Sequence, residues 1–523
     1  MSDQLKLHLS QLRKAATTTC LGKIRHGLEK ESLRVDSTGH IARTPHPEAL
    51  GSTLTHPHIT TDFSEALVEF ITPVFSTPAD SLNFLHELHS YFYGVLNPEE
   101  ILWTSSMPCV LGADDSIPLA NYGSSNIGRL KTLYRMGLGY RYGRSMQTIA
   151  GIHYNFSLPE NFWVLYHEQL QSSLPLQDFK TEQYFHLIRN FRRYSWLLLY
   201  LFGASPALCR SFLHKQNDHG LEEYDESTFY APFATSLRMG DLGYTSAAQA
   251  GLYISYNSLH EYTHGLTQAI KTPYPPYQKF APEHGQHKQI NASILQIENE
   301  FYGTIRPKRV TPSGQHPAEV LARDGVEYIE VRCLDLNPFL PVGIDSGQIH
   351  FLNSFLLFCL LRRSPPSDRR EYHEIDQNLK AVVRNGRHPD LLLMQNDKPI
   401  ALREWAAEIL AESLETAALL DSSCNTSVHG EATHAQQQKV DDDTLTPSAQ
   451  VLARMKELKT PYFQFAMNQS LANSDYFRAR PLDAAKLAEF RAVSARSDAA
   501  RLAIEASDEE DFDSYLQHSN QRE

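Results

Sequence analysis

Two-residue alternation that places carboxylates on one face of a strand is the feature of this chain that most restricts its fold. In HGLEKESLRV, residues 26–35, an extended backbone sends Glu29, Glu31, Leu33 and Val35 to one face and Leu28, Lys30, Ser32 and Arg34 to the other. The pattern recurs. SEALVEFITP (64–73) sets Glu65, Leu67, Glu69 and Ile71 against Ala66, Val68, Phe70 and Thr72, and GIHYNFS (151–157) sets His153, Asn155 and Ser157 against Ile152, Tyr154 and Phe156. ILQIENEFYG (294–303) carries Gln296, Glu298, Glu300 and Tyr302 opposite Ile297 and Phe301, and GVEYIEVRCLD (325–335) carries Tyr328, Glu330 and Arg332 opposite Ile329, Val331 and Cys333. An antiparallel sheet with one wet face is the ordinary cause of such alternation. Wet faces, however, mix Lys, Thr, Ser and Gln, whereas these concentrate Glu, His and Arg. A curved sheet with Glu29, Glu31, Glu69, His153, Glu298, Glu300 and Glu330 on its concave side would be strongly negative without a bound cation. The oxygen-rich set favours Mg²⁺ or Mn²⁺ over zinc.

The expected fold class is therefore α+β, a curved antiparallel sheet forming a cup packed by helices. Helices are expected over 78–96, entered by Thr77 with Pro78 at the first position, and over 182–201, where Tyr184, Leu187, Ile188, Phe191, Tyr194 and Leu198 recur at helical spacing. After about residue 345 the strand signals fade, so the chain divides into a catalytic α+β region, 1–345, and a mostly helical region, 346–523. Within the latter, the polar stretch 425–445 reads as a mobile loop and SDEEDFDSYLQHSNQRE as an acidic helix end or frayed tail.

The chain has 523 residues, 41% of them hydrophobic, and a formal net charge of -13, which argues against general nucleic-acid binding. The start, MSDQLKLHLSQLRK, spaces Leu5, Leu9 and Leu12 as an amphipathic helix rather than a secretion signal. The longest apolar runs, WLLLYLF at 196–202 and FLLFCLL at 355–361, fall well short of the roughly 20 residues a membrane helix needs. Six scattered cysteines without metal-site spacing suit a cytoplasmic enzyme with reduced thiols.

From Ser116 to Pro159 there is no Asp or Glu, yet Arg129, Lys131, Arg135, Arg141 and Arg144 are present. Glycines at 123, 128, 137, 139 and 143 make this basic island read as loop-like, although no Walker or G-x-G-x-x-G pattern fits. IRPKRV (305–310) adds Arg306, Lys308 and Arg309. Beside a metal-binding cup such cations are phosphate clamps. Carboxylates, divalent metal and phosphate-binding cations together suit a ligase that activates a carboxylate with ATP, and they equally suit a metal-dependent phosphohydrolase. A catalytically silent metal- or nucleotide-binding protein on the same scaffold is the reading from outside the enzymes.

GLEKESLRV, HPEALGSTLTHPHITTDFSEALVEFITPV, IGRLKTLYRMGL, RYGRSMQTIAGIHYNFSLP, ATSLRMGDLGYT, LQIENEFYGTIRPKRV and YIEVRCLDLNPF resemble, in order over about 20–345, the proteobacterial glutamate-cysteine ligase family. The resemblance implies a glutamine-synthetase-like sheet, a soluble and monomeric enzyme, and L-glutamate, L-cysteine and ATP as substrates with Mg²⁺ (or Mn²⁺) as cofactor. It implies metal ligands at Glu29, Glu69, His153 and Glu330, with Glu31 and Asp62 beside them. Arg332 would stabilise the transferring phosphoryl group, beside the phosphate contacts that the basic clusters themselves suggest at Arg129, Lys131, Arg306 and Lys308, and Arg238 would clamp a glutamate carboxylate. Phe63, Tyr134, Leu138, Gln147, Tyr244 and Tyr302 would line the cysteine pocket. The acceptor pocket is the least constrained part, so a ligase taking another amine is the alternative within the enzymes.

Overall fold

The computed structural model describes residues 3–14, 21–108, 110–213, 219–242, 247–312 and 315–521. A seven-stranded antiparallel sheet is formed by Arg25–Asp36 (β1), Ile59–Thr61 (β2), Leu67–Ile71 (β3), Glu100–Leu102 (β4), Ile152–Ser157 (β5), Ile305–Lys308 (β6) and Tyr328–Leu334 (β7). Its order is β2-β3-β1-β5-β7-β6, with β4 added to the far end of β1. Four of the five alternating segments are thus strands of one sheet, and they are its central four.

Helices cover one face of this sheet and leave the other open. Pro78–Val95 (α1) starts where expected, with the Thr77 hydroxyl accepting from the Asp80 amide, and packs on β1 and β3. Its His89 explains the lysine between the two glutamates of β1. Lys30 points into the covered face, where its Nζ donates to Ser32 Oγ (2.7 Å) and His89 Nε2 (2.9 Å), His89 Nδ1 being engaged by the Leu85 carbonyl. Burial pulls the Lys30 ammonium down to about 7. Leu176–Phe202 contains the second expected helix and packs on β7 and β6.

Three expectations are overturned. The stretch 294–303 is not a strand: it holds a single 3₁₀ turn, Glu298–Glu300, in a segment that folds back on its own side chains. Gln296 Oε1 accepts from the Ile290 amide and Glu300 accepts from the Gln296 amide, so local side-chain bonds take the place of a ladder. The basic island is not loop-like either, because Asn126–Tyr142 (α2) is a helix capped by Ser125. Its Gly137 serves close packing: a Cβ there would come within 2.1 Å of Gln296 Oε1. The polar stretch 425–445 contains the helix Val428–Asp441, whose buried His429, Ala432, Thr433, Gln436 and Val440 follow helical spacing. Asp421 holds its start by accepting from the His429 and Gly430 amides.

Beyond residue 345 the described elements are helices and one hairpin, Leu392–Gln395 with Lys398–Ala401. The apolar helix Ser346–Leu361 is almost wholly buried against Leu176–Phe202, Leu402–Cys424 and Val428–Asp441. One hydrophobic core therefore runs through both parts of the chain. No helix among the described residues is long and apolar enough to cross a membrane. Cys209, Cys333 and Cys359 are buried free thiols and Cys424 an exposed one; Cys20 and Cys109 lie outside the described residues.

Candidate active site

The open face of the sheet is the floor of a cleft of about 350 Å³, within the usual range of ligand sites. Strand register builds this floor. β1 sets Glu31 opposite Glu69 of β3 and Glu29 opposite His153 of β5, and β7 sets Glu330 opposite Asn155 of β5 and Arg306 of β6. Like charges directly opposite one another are unfavourable in a sheet. Here they are brought together in a recess.

Ligand atoms of Glu29, Glu69 and His153 all lie within 4.8 Å of one another. His153 Nδ1 is 3.1 Å from Glu29 Oε2 and 3.9 Å from Glu330 Oε1, and its Nε2 is 3.7 Å from Glu31 Oε1. Burial, with Glu29, Asp62 and Glu31 nearby, pushes the Glu69 carboxyl well above the ordinary carboxylate range. Burial also raises Glu31. Glu29 is held low by His153 despite its burial, and Glu330 lower still by Lys308, Arg332, His153 and Arg306. Asn155 donates to Glu29 Oε1 (2.7 Å) while its own buried Oδ1 finds no partner among the described residues. An oxygen-rich recess with a strained carboxylate and an orphaned acceptor fits a hard divalent cation.

Cations face the carboxylates from the same floor. Arg332 donates to Glu330 Oε2 at 3.0 Å, Lys308 lies 3.3 Å from Glu330 Oε1, and the buried Arg332 Nε has no partner among the described residues. A register shift of β7 between Val331 and Leu334 brackets Arg332 and re-aims it relative to the regular ladder. Arg306 is buried and anchored on the Asn299 and Phe301 carbonyls. Arg238 is fixed by Asp335, which accepts from its Nε at 2.9 Å, from Ser236 Oγ and from the Ala204 amide.

A wall made by α2 and the segment 289–302 stands over the floor. Phe63, Lys131, Tyr134, Leu138, Gln147 and Tyr302 all line the cleft, as do Asp62, Arg238, Arg306, Lys308 and Arg332. Burial brings the Lys131 ammonium down to about 8, its Nζ lying over the Tyr122 ring. Arg129, expected at the phosphates, is elsewhere: its guanidinium stacks on Phe512, 4.1 Å from the ring centre, outside the cleft. Tyr244 lies outside the described residues. Glu298 is not among the described residues lining the cleft, and Glu300 borders it but is bound by Arg141 (2.9 Å) and the Tyr142 hydroxyl (2.5 Å).

Sequence reading missed Tyr142, Gln249 and Asn299, which also line the cleft, and the supporting Asp335, and it named Arg135 only as one cation of the basic island. Arg135 carried a signal: it follows Lys131 by four residues, so a helix puts both on one face. It reaches the Asp62 carbonyl with its Nε.

The floor sets fixed cations able to bind anionic oxygens beside a carboxylate–histidine cluster with the chemistry of a hard-cation site. Against known families, the model of "Glutamate-cysteine ligase" matches residues 9–382. The chain belongs to the glutamate-cysteine ligase family. A glutamate-cysteine ligase of Pseudomonas putida is 51% identical over 517 residues, 99% of this chain and 98% of its own. One from Alcanivorax borkumensis is 49% identical over 98% of both chains. The crystal structure of the Francisella tularensis glutamate-cysteine ligase in complex with AMP is 36% identical and superposes with a TM-score of 0.90, covering 95% of this chain and 97% of that one. The helical last third, which carried no recognisable motif, is thereby part of what these proteins share.

Proposed function

We propose that this chain joins the γ-carboxylate of L-glutamate to the amine of L-cysteine, using ATP, through a γ-glutamyl phosphate. The products are γ-glutamylcysteine, ADP and phosphate, and the reaction is the first step of glutathione biosynthesis. The observation that carries this reading is the meeting, in one cleft of a chain of this family, of the Glu29–Glu69–His153 cluster, the Arg332–Lys308–Arg306 cations and an aromatic wall. The family's first-step chemistry needs all three.

Glu29, Glu69 and His153, with Glu31, Asp62 and Glu330 around them, would hold Mg²⁺ or Mn²⁺. When bound, such an ion screens phosphate charge and polarises the phosphoryl oxygens. The chain's own groups do the rest. Lys131, Arg306 and Lys308 bind phosphate oxygens, and Arg332, held in place by Glu330, offers its free Nε to the phosphoryl group in transfer, where charge develops between the donor and acceptor oxygens. Arg238, oriented by Asp335, receives a glutamate carboxylate, a task for which a planar fork is better suited than an ammonium. Phosphorylation turns the γ-carboxylate oxygen into a leaving group; the cysteine amine then attacks the acyl carbon, loses its proton, and phosphate departs. Phe63, Tyr134, Leu138, Gln147 and Tyr302 enclose the small thiol side chain by contact and sulfur–aromatic attraction. The enzyme so described works as a cytoplasmic monomer on small molecules.

Purified protein with Mg²⁺, ATP and L-glutamate, assayed for ADP with and without L-cysteine while the product mass is followed, tests the reading. Cysteine-dependent ADP release with a γ-glutamylcysteine mass is expected. ADP release without glutamate would replace it by a phosphohydrolase, and glutamate-dependent turnover without the cysteine product by a ligase for another amine.

A further inference from the structure

Phe63 and Leu138 of the acceptor wall belong to the main core, and the wall has a second support besides. Leu133 of α2 and Ile290 pack with Phe512 and Leu516 of the last helix, Phe512–Asn520 (α3), in a small apolar cluster of their own. Leu130, Tyr134 and Ile297 pack against this cluster and also line the cleft, as Ile290 does. A helix at the far end of the chain therefore completes the apolar support whose inner surface is the cleft wall.

Polar contacts tie α3 and the turn before it to both parts of the wall. On α2, the Asn126 amide donates to Asp508 Oδ2 (2.6 Å), Asn126 Nδ2 donates to the Glu510 carbonyl (2.8 Å), and Arg129 stacks over the Phe512 ring. On the facing segment, Asn520 Nδ2 donates to the Ile290 carbonyl (3.2 Å), Asn291 Nδ2 to Asn520 Oδ1 (3.2 Å), and His287 pairs with Asp513 at 2.9 Å. The acidic tail and the basic island meet here. Arg129 is thus an attachment point for α3 and not a phosphate contact.

We propose that α3 is a clasp that positions the acceptor wall, with Phe512 as its anchoring residue. A helix of nine residues has little stability of its own, so its order depends on this docking, and the docking fixes how α2 and 289–297 sit against each other. Removing the Phe512 ring leaves a void under Leu133 and Ile290, and a shift of about 1 Å in a positioning group is enough to degrade a bound geometry. The floor, built into the main core, is insulated from that shift. The larger effect falls on the acceptor amino acid; of the phosphate contacts proposed above only Lys131 is carried by α2, so the effect on ATP is the smaller one. This inference rests on the ligase reading of the cleft.

Steady-state kinetics of full-length Phe512→Ala and wild type, varying cysteine, glutamate and ATP in turn, tests it. The KM for cysteine is expected to rise roughly five-fold or more while kcat and the other two KM values stay within about twofold, and Phe512→Tyr is expected to restore wild-type behaviour. A folded Phe512→Ala enzyme with an unchanged cysteine KM would overturn the proposal. So would a parallel rise of all three KM values with loss of kcat. Should Phe512→Ala fail to fold, Leu516→Ala, one turn further along, carries the same readout. A wild-type enzyme without cysteine-dependent ADP release would remove the ligase reading and this inference with it, whereas an active wild type with an indifferent Phe512→Ala would remove this inference alone.

Discussion

Glu69 and Glu300 border the same cleft and meet opposite electrostatic conditions. Glu300, in the wall, is answered by fixed protein donors: Arg141, the Tyr142 hydroxyl and the Gln296 amide. Glu69, in the floor, stands opposite Glu31, has Glu29 and Asp62 nearby, and finds no ion-pair partner among the described residues. A buried acid whose partners are all protein is part of the architecture. One surrounded by its own kind marks a place for a charge the chain does not supply. Within the floor this contrast and its tension belong to Glu69 and Glu31, whose carboxyls are raised; Glu330 is answered by Lys308 and Arg332, and Glu29 by His153 and Asn155.

The largest effects should come from the floor. Glu29→Gln or Glu330→Gln is expected to lower kcat by at least roughly 100-fold with the unfolding transition of a folded protein retained. Full activity in either variant would break the assignment of these carboxylates. In the wall the loss should appear in stability instead. Glu300→Gln leaves the Arg141 guanidinium buried without its counter-charge and is expected to cost about 3 kcal/mol in denaturant unfolding, the scale of a broken buried pair. An unchanged midpoint would mean that Glu300 is not the compensated acid described here. Arg238 is the mixed case, a charge already answered by Asp335 that still faces the cleft. Arg238→Lys is expected to raise the glutamate KM about tenfold, one contact's worth, with the ATP KM nearly unchanged. Equal rises would move Arg238 from glutamate to phosphate.

The floor was legible in the sequence because a strand's period of two is rigid. Once β1, β3, β5 and β7 pair in register, Glu29, Glu31, Glu69, His153 and Glu330 have no other face to occupy. The wall was not legible, for the same reason inverted. Gln296, Glu298 and Glu300 alternate just as well, but the side chains of Gln296 and Glu300 bond to their own loop and to α2, and alternation cannot report that. Glycines misled in the basic island because they permit close packing as readily as they permit loops, and Gly137 does the former. In 425–445 polar composition hid a helix whose cap, Asp421, lies in the preceding element. The family resemblance supplied roles for Arg238 and the aromatic wall; it gave no hint of Asp335, Arg135 or the C-terminal support, which are matters of tertiary contact.

Smaller in size, and a direct probe of the tension, is the pH dependence of stability in chelator-treated protein. Glu69 holds its proton more tightly folded than unfolded, so its contribution is full below the ordinary carboxylate range and is lost as pH rises through the folded value. Glu69→Gln removes that loss. The variant's stability relative to wild type should therefore increase with rising pH, as read in thermal midpoints at about pH 5 and about pH 8. A difference that stays constant across that range would mean Glu69 is not strained.

The most direct measurement is the thermal midpoint of chelator-treated wild type and Glu69→Gln, each with and without added Mg²⁺. Wild type should rise with the cation and Glu69→Gln should rise far less, because the strained carboxylate is what the ion relieves. Equal shifts in both proteins, or no shift in wild type, would contradict the claim that the floor of this cleft is built to hold a divalent cation.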